Sequence, residues 1–280
     1  MTKKAKIVAL VNQKGGVGKT TTAVNLAAGL AQLGQEVLVI DSDPQANATS
    51  GLGLDKRTVE NTIYAALLNE GAAQDAVVET STPHLSLIPA NSALTGAEVE
   101  LVASLARETR LRGALKPLRD RFDYILIDCP PSLGLITLNA LTAAHSVLIP
   151  VQCEYYALEG LAQLTDTLER VRAALNPALE IEGAVLTMYD ARISLANQVK
   201  AELAKHFASK FFETVIPRNI RLAEAPSFGK PVLAYDSESR GSAAYLSLAR
   251  EFLARQSGFP AGAVVAEDQP DPLDEEEAAL

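Results

Sequence analysis

The sequence predicts an α/β fold: a doubly wound, mainly parallel twisted sheet with helices on both faces. Three observations carry this expectation. Short apolar runs recur without alternating polar residues, namely IVALV (7–11), VLVID (37–41), YILID (124–128), VLIPV (147–151) and AVLTM (184–188). Strands buried on both faces read in this way, and such strands build parallel sheets. Helical spacing fills the intervals between the runs, giving the strand, helix, strand order that parallel pairing requires. Finally, 280 residues of which 48% are hydrophobic can bury a sizeable core.

The elements follow in order. After the first run comes a helix with Ala23, Leu26, Ala27, Leu30 and Leu33 on one face, ending at Gly34. Further helices are expected near 98–118, 158–175, 195–207 and 243–254. No Pro/Gly/Ser linker or internal repeat divides the chain before its end, so 1–256 is expected to form a single domain. Residues 257–280 mix proline, glycine and acids, with no Lys or Arg after Arg255. They are expected to form a disordered, solubilising tail.

Composition excludes several classes. The formal charge is −9, but Glu267, Asp268, Asp271, Asp274, Glu275, Glu276 and Glu277 supply most of the excess, leaving the rest nearly balanced. Two cysteines without CxxC spacing argue against a disulfide framework or a zinc knuckle. The basic start MTKK precedes an apolar run too short for a signal peptide, and no segment approaches the roughly 18 apolar residues of a membrane span. A soluble, cytoplasmic protein without a membrane partner is expected.

The chemistry begins at NQKGGVGKTTTAVNL (12–26), directly behind the first strand and opening the first helix. This is where open α/β sheets bind ligands. Gly15, Gly16 and Gly18 let backbone N–H groups turn inward, Lys19 offers a point charge to β and γ phosphates, and Thr20 can ligate Mg²⁺. A tight glycine turn alone needs neither the Gly-Lys-Thr ending nor the helix behind it. Asp128 ends YILID and can hold the Mg²⁺ shell, while Pro130 and Pro131 keep the following loop irregular. Asp41 and Asp43 end the second strand in VIDSDPQ. Each carboxylate alone could cap a turn; beside a phosphate loop the three favour catalysis.

The loop departs from GxxxxGK[ST], having Gln13 where that pattern needs glycine. KGGVGKT is instead the deviant form of the P-loop NTPase motif, with a second lysine, Lys14, at its entrance. Together with LVIDSDPQANATSGLG, YILIDCPPSLG, VQCEYYALEG, TMYDAR and TVIPRNIRLAEAPSFGKP it strongly resembles the ParA/Soj chromosome-partitioning ATPases, over essentially 6–253.

The resemblance implies ATP and Mg²⁺ as ligands and a homodimer closed face to face over two ATP molecules. Lys14 would reach across to the partner's phosphates, whose charge needs neutralising in a poorly hydrated interface. The nucleotide-binding set becomes Lys14, Gly15, Gly16, Val17, Gly18, Lys19, Thr20 and Thr21, with the adenine near Pro217, Arg218 and Asn219. Thr20, Asp41 and Asp128 form the metal set. Lys14, Lys19 and Asp43 are the catalytic set, with Asp43 positioning the attacking water.

Relatives with this loop have other functions, so the loop alone does not settle the matter. MinD-like switches use a basic amphipathic C-terminal helix, whereas this C-terminus is acidic and carries Pro260, Pro270 and Pro272. Nitrogenase-type iron proteins share a cluster through cysteines; Cys129 and Cys153 lack those surroundings and are expected to be structural. A nucleotide-dependent scaffold is a further alternative.

Between Glu180 and Arg255 ten bases face nine acids, so no basic stripe is visible. By match to the family, Arg192 and Arg221 are assigned to the phosphates of double-stranded DNA, bound without sequence preference and doubled in a dimer. A ParB/Spo0J-type centromere-binding protein is the implied partner, and a nucleoid-associated location follows. Because the stretch before KIVALV is short, no built-in sequence-specific DNA-binding domain is expected.

Overall fold

The computed structural model describes residues 4–68, 72–154 and 157–256; the expected acidic tail lies outside them. Seven strands form one sheet: β1 (Lys6–Leu10), β2 (Val37–Asp41), β3 (Val78–Glu79), β4 (Leu85–Ile88), β5 (Tyr124–Asp128), β6 (Ser146–Gln152) and β7 (Glu180–Thr187). Their spatial order is β3-β4-β2-β5-β1-β6-β7, and every pairing is parallel except β3 with β4. The helices are α1 (Lys19–Gln32), α2 (Asn47–Gly51), α3 (Ile63–Leu68), α4 (Leu94–Val102), α5 (Arg110–Ala114), α6 (Leu135–Ala143), α7 (Ala157–Ala174), α8 (Ser194–Phe207), α9 (Ile220–Glu224), α10 (Val232–Tyr235) and α11 (Arg240–Gln256).

The unalternating runs are explained by two cores, one on each sheet face. Along β1, Ile7 and Ala9 enter the core shared with α3 to α8, while Val8 and Leu10 enter the one shared with α1, α10 and α11. A pleated strand sends successive side chains to opposite faces, so a strand covered on both sides must be apolar throughout.

Two expectations change. The helix foreseen near 98–118 is broken into α4, α5 and a short 3₁₀ turn at Lys116–Leu118. Ala106 adopts a left-handed φ of 53°, which no α-helix accommodates, and Pro117 lacks a backbone donor. The first helix, expected to be amphipathic, is buried from Thr22 to Ala31. Helix α11 covers its outer side so closely that a Cβ on Gly29 would lie 2.9 Å from the Cβ of Ala249. The two strands missed in the sequence, β3 and β4, are short; β3 is the edge strand, and Ser86 interrupts the apolar run of β4.

Candidate nucleotide-binding site

The loop between β1 and α1 leaves the carboxyl edge of the sheet with β5 on one side and β6 on the other. Asn12 anchors its start: Nδ2 donates to the Pro150 carbonyl at 2.8 Å, while Oδ1 accepts the Lys14 N–H at 3.0 Å. Gly16 and Gly18 take φ of 76° and 87°, the left-handed region that favours glycine. No side chain caps α1, so its first N–H groups face the loop. At its far end the loop is held by Thr187, whose hydroxyl donates to the Val17 carbonyl at 2.8 Å. Space in front of Gly15 and Gly16 is open. The loop is therefore a rigid, uncapped cradle of backbone donors, the geometry an anion requires.

Lys19 is buried, and its ammonium donates to the Lys14 carbonyl at 3.2 Å. Burial lowers its pKa, against the opposing pull of Asp128. Thr20 is half-buried, and Thr21 accepts from Asn25 Nδ2 through its carbonyl at 2.8 Å. The Lys14 ammonium pairs with Glu154 of the same chain, in the turn behind β6.

Sheet register brings the carboxylates together. Asp41 and Asp128 are direct partners at the ends of β2 and β5, and Asp128 pairs in turn with Leu10 of β1. Asp128 is fully buried and neither carboxylate oxygen has a well-formed hydrogen bond. Burial, then the charge of Asp41, pushes its pKa well above the carboxylate range, eased only partly by the nearby Thr20 hydroxyl. Burial likewise raises Asp41, to about 6, although its oxygens accept from Thr49 and from the Asp43 N–H. Asp43 is 9% exposed and accepts the Gln45 N–H at 2.9 Å.

Such a cluster of buried negative charge beside a single lysine fits a divalent cation. Thr20 and Asp128 are the groups with capacity to hold one, and Asp41 is already engaged by its own loop. Among the described residues no three His, Cys, Asp or Glu side chains form a cage. The remaining ligands of a Mg²⁺ would then be phosphate and water, as that ion prefers.

The segments carrying the other expected residues meet at the same sheet edge. Pro217 forms a bridge with Tyr189, Arg218 donates its N–H to the Tyr189 carbonyl at 3.2 Å, and Asn219 caps α9 by accepting the Arg221 N–H at 2.8 Å. Arg192 is exposed, with two bonds to Asp190 at 2.9 and 2.6 Å. Arg221 pairs with Glu224 at 2.9 Å and Asp236 at 3.0 Å. Both assigned arginines thus lie on the surface with carboxylates already bound. Cys129 is buried and its thiol pushed far up by burial, while burial pushes the half-buried Cys153 up to about 11. Sequence reasoning overlooked Asn12, Thr49, Glu154 and Thr187; each acts through a partner distant in sequence, and no spacing rule marks it.

Fold and loop define the class, a P-loop nucleoside triphosphatase, and the AAA domain family matches residues 5–181. The sporulation initiation inhibitor protein Soj of Bacillus subtilis is 56% identical over 249 residues, covering 89% of this chain and 98% of its own. The chromosome partitioning protein ParA of Myxococcus xanthus is 55% identical over 252 residues, covering 90% and 89%. Among solved structures, cobyrinic acid a,c-diamide synthase from Mycobacterium smegmatis with bound ATP analogue and magnesium has a TM-score of 0.79 at 36% identity, covering 90% and 96%. The chain belongs to the ParA/Soj family of chromosome-partitioning ATPases.

Proposed function

We propose that this protein hydrolyses ATP with Mg²⁺ and uses the cycle to partition a chromosome or other replicon, with 1–256 acting as one unit. The observation that carries the reading is the pairing of Asp41 with Asp128 at the strand ends beside the glycine loop. Backbone N–H groups of 15–21 and the Lys19 ammonium bind the phosphates; Pro217 to Asn219 flank the adenine. Thr20 and Asp128 hold Mg²⁺, which when bound neutralises phosphate charge. Asp43 orients the attacking water.

Lys14 serves a second copy of the chain, supplying charge to the partner's phosphates, so ATP closes a homodimer. Its ammonium, paired with Glu154 and partly exposed rather than committed to a group of its own loop, supports this role. The dimer doubles Arg192 and Arg221 and binds double-stranded DNA without sequence preference. A ParB/Spo0J-type protein stimulates hydrolysis and releases the protein from the nucleoid in the cytoplasm. Among the described residues no helix is long and apolar enough to cross a membrane.

Sizing chromatography without nucleotide, with ADP and with ATP, each repeated with DNA, tests the reading. Wild type should dimerise with ATP only, and Asp43→Ala should accumulate as a DNA-bound dimer that does not hydrolyse. An ATP dimer that ignores DNA would replace partition by a scaffold role, and failure to dimerise would remove the role of Lys14.

A further inference from the structure

We infer that Thr49 is a positioning residue for the hydrolytic step, acting through Asp41 on Asp43; the inference rests on the ATPase reading above. Asp41 and Thr49 are both fully buried. Asp41 Oδ2 accepts the Thr49 N–H at 2.8 Å and the Thr49 hydroxyl at 2.7 Å, and Asp41 Oδ1 accepts the Asp43 N–H at 3.2 Å. Having given its only proton to Asp41, the hydroxyl oxygen accepts the Ala90 N–H at 2.9 Å, just beyond β4. One side chain therefore joins the end of β2, helix α2 and the segment leaving β4.

Asp43 inherits its placement from this joint. Its N–H is held by Asp41, its Oδ1 by the Gln45 N–H at 2.9 Å, and its carbonyl by the Ala46 N–H at 2.8 Å. The carboxylate that aims the water is thus fixed to a turn whose outer anchor is Asp41, and Asp41 keeps its rotamer because Thr49 and Asp43 divide its two oxygens. Reacting groups tolerate little displacement: about 1 Å of misplacement costs on the order of 10²-fold in rate. The phosphate cradle, by contrast, is anchored by Asn12 on Pro150 of β6 and by Thr187 of β7. Loss of the Thr49 hydroxyl should therefore disturb turnover and spare nucleotide binding.

Thr49→Val keeps the shape and removes the hydroxyl, leaving the Ala90 N–H without its partner; Thr49→Ser keeps the hydroxyl. Hydrolysis is measured with Mg-ATP and binding with a fluorescent ATP analogue. For Thr49→Val, kcat should fall about 10- to 100-fold, with KM and analogue affinity within about threefold of wild type. Thr49→Ser should retain at least about half the wild-type kcat. Should Thr49→Val fail to fold, Thr49→Cys, with its weaker donor, should give an intermediate kcat. Wild-type kcat in Thr49→Val or Thr49→Cys would overturn the inference. So would equal losses in Thr49→Val and Thr49→Ser, which would assign the effect to packing, or a loss of analogue affinity matching the loss of kcat. Wild type that binds but never hydrolyses ATP would defeat the ATPase reading itself, a failure visible before any variant is made.

Discussion

The ammonium of Lys14 is paired with the carboxylate of Glu154 in the same chain, so the lysine at the loop entrance already has a carboxylate partner. To serve a second subunit it must exchange that carboxylate for phosphate.

The side chains are 41% and 43% exposed, so the pair contributes only about 0–1 kcal/mol. Glu154→Gln should therefore tighten the ATP-dependent dimer by no more than about 30-fold, counting one pair per subunit. Lys14→Ala should bind ATP yet stay monomeric, whereas Lys19→Ala should weaken ATP binding itself. Sedimentation velocity over a range of protein concentrations measures the first two effects, and an ATP-dependent Lys14→Ala dimer would refute the action across the interface.

The proposed cation ligand Asp128 carries a pH-dependent cost to the fold. Its raised folded-state pKa means that, above the ordinary aspartate value of 3.8, the unfolded chain ionises more readily than the folded one. The contribution of Asp128 to stability without ligand therefore falls as pH rises. Asp128→Asn removes that penalty and should raise the thermal midpoint by a few degrees at neutral pH (about 1 kcal/mol), with the gain shrinking toward pH 4. Mg²⁺-dependent hydrolysis should fall at least about 100-fold. A lower midpoint with unchanged hydrolysis would assign Asp128 to the fold alone.

Arg192 and Arg221 should be separable from dimerisation. Each phosphate contact contributes about −0.9 to the slope of log K against log salt, so either substitution to alanine, present twice per dimer, should flatten the slope by roughly 1.8. Because Asp190 occupies Arg192, Asp190→Asn should tighten DNA binding, and an acid of equal charge on the far side of the molecule provides the control. Titrating fluorescent DNA at several salt concentrations reads both effects; an unchanged slope would remove that arginine from the DNA surface.

Glu182 closes the opposite end of the sheet and carries a pH signature. Burial pushes its pKa up, but bonds from Lys6, Ser146 and Gln256, each 2.6 Å, leave it below the ordinary value of 4.5. The stabilisation is present above 4.5 and is lost as pH falls through the lower folded-state pKa. Glu182→Gln should destabilise by about 1–3 kcal/mol at pH 7 and converge with wild type in acid. Urea midpoints across pH 3–7 test it, and a constant difference would mean that charge is not the cause.

What the sequence by itself determined is whatever depends on neighbours along the chain. The cradle spans nine consecutive residues, Asn12 to Thr20, and its glycines, lysine and threonine are legible because a loop closing on phosphate uses local backbone. Apolar runs without alternation disclosed the parallel sheet because covering both faces leaves no polar side. The course of 98–118 was not legible, since the left-handed turn at Ala106 belongs to a residue with no such preference.

Only the tertiary structure decided which distant residues meet. The insertion of β5 between β2 and β1 sets Asp41 against Asp128 and both beside the loop, an order that apolar runs cannot encode because each run fits equally well next to any other. The same holds for Thr49 on Ala90, Thr187 on Val17 and Glu154 on Lys14. Each is a single polar contact between segments far apart in the chain, fixed by how the strands pack and carrying no periodic trace in the sequence.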